Sequence, residues 1–181
     1  MVFRKSTNAA NRTLPVGERK ELTTLEGSWK ISFQPGRGAP ESISVDKLGS
    51  WSDSDNPGVK YFSGTGTYTK TFNAPAAWLA KGAQVWIDLG DVKNLAEVSL
   101  NGKQLGIVWH SPYRVDATAA LKTGDNELVV KLTNAWVNRL IGDEQPGATK
   151  YTFADVKPYR ANSPLLPSGL FGPVSIYSIG K

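Results

Sequence analysis

The chain has 181 residues, with 21 basic against 16 acidic side chains, a net charge of +5, one histidine and no cysteine. Without cysteine, a disulfide framework and a thiolate metal site are excluded, and the scatter of basic residues, in place of a stripe, argues against a nucleic-acid partner. No apolar run is long enough to cross a membrane, and the opening MVFRKSTNAANRTLPVGERKE lacks the apolar stretch of a secretory leader; the chain reads as cytosolic or as a piece of a larger exported protein.

Residues 1–24 are polar and aperiodic and read as a flexible tail or linker, and deletion of residues 1–22 is expected to leave the melting temperature nearly unchanged. Asn11-Arg12-Thr13 matches the N-glycosylation triplet, a motif this short being close to chance. From residue 25 onward, apolar side chains recur at every second position. Trp29, Ile31 and Phe33 share one face. Phe62, Tyr68 and Phe72 follow, against a ladder of Thr65, Thr67, Thr69 and Thr71. Then come Val85, Ile87 and Leu89; Ala96, Val98 and Leu100; Leu105, Ile107 and Trp109; Leu128, Val130 and Leu132; and Val174 with Ile176. Period-two alternation in short runs marks half-buried strands. Eighteen glycines and eleven prolines supply the turns.

Asn101-Gly102 between two such runs predicts a type I′ hairpin, whose two central residues need positive φ. Lys122-Thr123-Gly124-Asp125-Asn126 reads as another turn. No segment shows a sustained 3.6-residue period, although 74–81 and 117–121 each have room for a helical turn. Residues 135–172 differ from the rest. They are rich in Pro and Gly and carry Trp136, Tyr151, Phe153, Tyr159 and Phe171 without strand periodicity. A loop this long is either functional or a flap packed by its own aromatics. The fold class expected is all-β, a two-sheet antiparallel sandwich of the jelly-roll kind over residues 25–181.

Strand direction alternates in such a sandwich. If 103–109 runs up, 113–118 runs down and 126–133 up; counting backwards, 94–100 runs down, 84–89 up and 61–72 down. The loop at His110, the long segment after Asn134, the 91–94 turn and the start at Tyr61 then share one end. The opposite end carries Asn101-Gly102, 119–125 and the 73–83 connection.

Several candidates for chemistry stand out. Glycoside hydrolysis needs two carboxylates across a cleft; Asp143-Glu144 and Asp88 with Asp91 are pairs, but none sits in a motif that sets such geometry. His110 beside Ser111 suggests an esterase dyad, yet there is no Gly-x-Ser-x-Gly elbow and Ser111 precedes a proline. A loop histidine is the simpler reading. No catalytic residue, no metal ligand and no cofactor is therefore assigned, and a structural calcium held by carboxylates and carbonyls stays open. Binding is better supported, because sugar sites combine aromatic platforms with Asn, Asp and Arg. Trp109, His110, Tyr113, Trp136, Asn138, Arg139 and Asp143 are the candidate sugar-binding residues. Against this, Trp136 could plug the sandwich end, with Arg139 and Asp143 paired to each other.

Tyr61–Tyr68, Leu89-Gly90-Asp91-Val92, Ala96–Lys103, Pro112–Asp116, Gly124–Leu128 and Thr133–Asp143, taken in order, resemble the galactose-binding-like jelly-roll domain of family 2 glycoside hydrolases. They are more closely similar to the corresponding domain at the C-terminal end of large α-L-rhamnosidase-like enzymes. The likeness covers roughly residues 25 to 179. It implies a non-catalytic module, not itself an enzyme, whose partners are a carbohydrate and the catalytic domain of a secreted or periplasmic parent. The ligand implied is plant cell-wall polysaccharide or its rhamnose- or galactose-containing side chains. A structural accessory domain without free-sugar affinity is the alternative, and a weak glycosidase the third.

Overall fold

The computed structural model describes residues 17–80 and 82–180. The glycosylation triplet at 11–13 and the first sixteen residues of the expected tail lie outside the described residues. Two antiparallel sheets face each other. The larger has six strands in the order β3 (Ser42–Val45), β2 (Trp29–Phe33), β4 (Thr65–Ala74), β10 (Gly124–Thr133), β7 (Leu95–Leu100) and β8 (Lys103–Val108). The smaller runs β1 (Arg19–Thr24), β12 (Ser175–Ile179), β5 (Gln84–Asp88) and β9 (Arg114–Asp116). A short pair, β6 (Asp91–Lys93) with β11 (Gly169–Gly172), joins one end. This is the all-β sandwich that the alternation predicts.

The core forms from the inward half of each strand. Trp29, Ile31, Tyr68, Ile87, Val98, Leu128, Val130 and Ile176 are buried, each burial of a large side chain contributing roughly 1.5–3 kcal/mol. Trp51 comes from a turn, not a strand, and stacks on Tyr68 with ring centroids 6.0 Å apart. Its ring fills the space beside Gly66, where an added Cβ would meet it at 2.6 Å. The hairpin turn is as expected: Asn101 and Gly102 have φ of 53° and 77°. The Asn101 Nδ2 donates to the Ala120 carbonyl and to the Asn126 Oδ1, both at 2.8 Å, tying the turns of that end together.

Three expectations need correction. The aperiodic tail was expected to reach residue 24, but Arg19–Thr24 pairs with β12 as an edge strand. The outer face of β12 holds it there. The Arg19 guanidinium lies 3.9 Å from the Tyr177 ring centroid and 3.4 Å from Asp88 Oδ2. The strand's sequence, RKELTT, carries a single apolar residue, Leu22, so no alternation marked it as a strand.

The second correction concerns Leu105, Ile107 and Trp109, which do not share a buried face. Ser99 pairs with Gln104 and Val98 with Gly106, so β8 carries one extra residue, Leu105, in a bulge. The bulge inverts the alternation after it. Gly106 and Val108 take the inward positions, and Ile107 turns out to solvent.

Third, two short helices were missed: α1 (Pro57–Lys60) and α2 (Val137–Asp143). The Asn56 side chain accepts from Gly58 N–H at the start of α1. α2 buries Asn138, Arg139 and Asp143 together with Ile141, so its inward face is polar and leaves no apolar 3.6-residue stripe.

Candidate functional site

The strand count puts the long loops at one end, and hydrogen bonds across them agree. The Asn134 side chain donates to the Phe62 carbonyl at 2.8 Å and accepts from Gly64 N–H at 2.9 Å. Ser63 Oγ donates to the Ala135 carbonyl at 2.9 Å. Asn94 Oδ1 accepts from Ala135 N–H at 3.1 Å, and Leu89 N–H donates to the Tyr113 carbonyl at 2.9 Å. The starts of β4 and β7 and the end of β10 are thus stitched together just before Trp136, while Leu89 ties the end of β5 to the approach to β9; Trp109 follows Val108, which pairs with Ala96 at the start of β7.

Trp109 follows the β8 bulge and is 68% exposed. Its ring meets His110 edge-on, centroids 4.8 Å apart. His110 is exposed, with Nδ1 2.9 Å from the Ser111 carbonyl. A carbonyl can only accept, so Nδ1 carries the proton and a neutral ring leaves Nε2 free as an acceptor. Tyr113 is half-buried against the core. Trp136 is 49% exposed, and the Arg37 guanidinium sits 4.5 Å from its ring centroid. Arg37 is positioned by its stem as well. A Cβ at Gly64 would meet its Cδ at 2.8 Å.

The other three candidates face inward. Asn138, Arg139 and Asp143 are 1%, 4% and 4% exposed. The Asn138 side chain donates to the Leu166 carbonyl and accepts from its N–H, both at 2.8 Å, holding the 144–168 flap. Arg139 Nε and Asp143 Oδ1 form a buried ion pair at 2.8 Å, an ionic contact and not a well-directed hydrogen bond. The second Asp143 oxygen accepts from the backbone N–H groups of Tyr151 and Thr152 and from the Thr152 hydroxyl at 2.6 Å. The guanidinium also lies 5.1 Å from the Tyr151 ring centroid. These residues position the flap and leave no carboxylate oxygen free for a ligand.

Other acidic groups of this end are engaged too. Asp88 bridges Arg19 and Arg114. Its hydrogen bond to Arg114 holds that guanidinium's pKa above its usual value. Asp91 does the same for Lys93, with the ammonium 2.9 Å away. A cleft of about 320 Å³ is lined by Gly38, Tyr61, Arg139, Gln145 and Tyr151. Two others flank the 46–50 segment, one of about 260 Å³ lined by Ile31, Val45, Trp51 and Tyr68 and one of about 560 Å³ lined by Glu26, Trp29, Lys47 and Phe171. Among the described residues no three His, Asp or Glu side chains gather as a metal site, and no helix is long and apolar enough to cross a membrane.

Arg37 is the residue that sequence reasoning missed. It lies in Gln34-Pro35-Gly36-Arg37-Gly38, distant in sequence from Trp136. Only the pairing of β2 with β4, and of β4 with β10, brings the two together.

Residues 58–163 match the family described as glycosyl hydrolase 2 galactose-binding domain-like. A putative β-glucuronidase of Formosa agariphila is 39% identical over 176 residues, covering 84% of this chain and 15% of its own length. The structure of a rhamnosidase from Novosphingobium sp. PP1Y superposes on 97% of this chain at 45% identity with a TM-score of 0.90, over 17% of its length. The β-D-glucuronidase of Dictyoglomus thermophilum, 18% identical with a TM-score of 0.63, shares the fold. This chain therefore spans about a sixth of the length of the Formosa and Novosphingobium proteins, and it belongs to the glycosyl hydrolase 2 galactose-binding-domain-like family.

Proposed function

We propose that this domain is a non-catalytic carbohydrate-binding module that presents the Trp109–Trp136 end to a polysaccharide. The exposure of two tryptophans at one end of the same sheet, Trp136 after β10 and Trp109 after β8, carries the reading. A solvated indole face is costly to leave open, and the C–H face of a sugar ring covers it well. His110 Nε2 and Arg37 add an acceptor and donors at the rim. The acidic residues considered for hydrolysis, Asp88, Asp91, Asp143 and Glu144, are held in ion pairs with Arg114, Lys93, Arg139 and the flap lysines. Affinity electrophoresis against galactan, rhamnogalacturonan and other polysaccharides tests it. Retention by at least one polymer is expected, weakened by Trp109→Ala and unchanged by Lys122→Gln at the far end. No retention on any polymer refutes it.

A second reading rests on a different observation. Phe153 and Val156 project from the flap into solvent, as Ile107 does from β8. In relatives where the matching region is about a sixth of the chain, such side chains would seat against the remainder of the enzyme. The domain would then brace a glycosidase without holding sugar itself.

A further inference from the structure

The charge and geometry around Trp136 narrow the ligand class, on the premise that the binding function above is correct. We propose that the saccharide taken at this end is acidic, and that Arg37 reads its anionic group while Trp136 supports Arg37 and Trp109 stacks the chain. The Arg37 guanidinium is held over the indole of Trp136, 4.5 Å from the ring centroid, with its stem against Gly64. Stacking covers a face of a guanidinium but leaves its N–H edge, the part that forms a fork with a carboxylate or a sulfate. Among the described residues that fork is unclaimed. Arg19 and Arg114 share Asp88, and Arg139 has Asp143, whereas no described carboxylate lies within ion-pair distance of Arg37.

Two acidic groups of this end are already paired. Asp91 is on Lys93, and Glu144 lies between Lys150 and Lys157. Arg37 keeps its charge uncompensated among the described residues. A neutral polysaccharide gains little from such a fork, whereas an anionic one gains a charge-assisted bidentate contact.

The stacking roles divide by geometry. One face of Trp136 is already occupied by Arg37, whereas Trp109 meets only the edge of His110 and is more exposed. From β10, which leads to Trp136, to β8, which leads to Trp109, there are two strand steps across the sheet, about 10 Å at the usual spacing. Anchors that far apart suit an extended acidic chain better than a single sugar.

Titration of the intact protein with polygalacturonate, a carboxyl-reduced form of the same polymer, a sulfated galactan and a neutral galactan tests this. Acidic chains should bind at least about tenfold tighter than neutral ones, with affinity falling as salt rises. Loss of binding on carboxyl reduction identifies a uronate; preference for the sulfated polymer identifies a sulfate ester. Arg37→Gln should remove the acidic preference with the melting temperature unchanged, and Arg37→Lys should restore part of it. Lys122→Gln, an equal change of charge at the far end, should leave it intact. Equal affinity for neutral and acidic chains, or a preference that survives Arg37→Gln or disappears equally in Lys122→Gln, overturns the acidic reading and leaves the binding function standing. Failure to bind any polymer removes both.

Discussion

Two stretches of this protein have the composition of a sugar site, and they end in opposite environments. Residues 109–113 offer Trp, His and Tyr in a loop; residues 134–143 offer Asn, Trp, Asn, Arg and Asp around a helix. The first stretch emerges from a bulged edge strand and keeps Trp109 and His110 in solvent. The second winds into α2, which turns Asn138, Arg139 and Asp143 inward and leaves Trp136 outside. Hydrogen-bonding capacity is the same commodity in both. On the loop it remains available to a ligand, while on the helix it satisfies the backbone of a flap with no regular secondary structure of its own. A long irregular segment has unpaired N–H and C=O groups, and buried polar side chains are the usual means of pairing them.

The largest effect that could break this comparison is on the helix. Asp143→Ala would leave the Arg139 guanidinium buried without its counter-charge and free the Tyr151 and Thr152 amides. A loss of about 3–5 kcal/mol is expected in urea unfolding. A loss below about 1 kcal/mol would show that the helix is not the structural partner in the comparison.

Removal of residues 1–24 comes next. It strips β1 from β12 and takes Arg19 from Tyr177 and Asp88. Thermal unfolding should fall by on the order of 5 °C. An unchanged midpoint would restore the expectation that this stretch is a dispensable tail.

Trp109→Ala should do the reverse of Asp143→Ala. An indole that is mostly in solvent contributes little to the fold, so the melting temperature should barely move. Polysaccharide affinity should drop by roughly 1.5 kcal/mol, or about tenfold. Calorimetry on the folded variant measures both. Loss of the fold would place Trp109 among the packing residues and erase the contrast between the two regions.

The smallest effect is one of pH. The hydrogen bond from Lys157, with Lys150 adding its charge, holds the Glu144 pKa below its usual 4.5. A depressed carboxylate contributes stability that is present above its unfolded value and is lost as pH falls through its folded one. The tie between Glu144 and the flap lysines should thus hold at neutral pH and loosen in acid. Amide signals of residues 150–157 should shift as the pH is taken below 4.5, while the Trp109 indole signal stays in place. Coincident shifts in both would mean that the flap and the 109–113 loop move as one body.

Much of the architecture was legible in the residue order, because a strand's buried face is a local property. Alternation identified β2, β4, β5, β7, β10 and β12, Asn101-Gly102 identified the hairpin, and counting strand directions put the loops of the candidate site at one end. Those readings depend on neighbours two residues away, which the sequence itself displays. The remaining features needed the third dimension. Whether Ile107 faces in or out turned on one extra residue opposite Val98 and Ser99, and a bulge is defined only by its partner strand. Whether Arg139 meets a ligand or Asp143 turned on which way α2 rolled, and its polar inward face hid the helix. That Arg37 lies over Trp136 follows from β2, β4 and β10 being neighbours in one sheet. Sequence determined which residues alternate; the packing of distant segments decided which polar groups were left free, since a side chain's hydrogen-bonding capacity is spent on whatever the fold brings within about 3 Å of it.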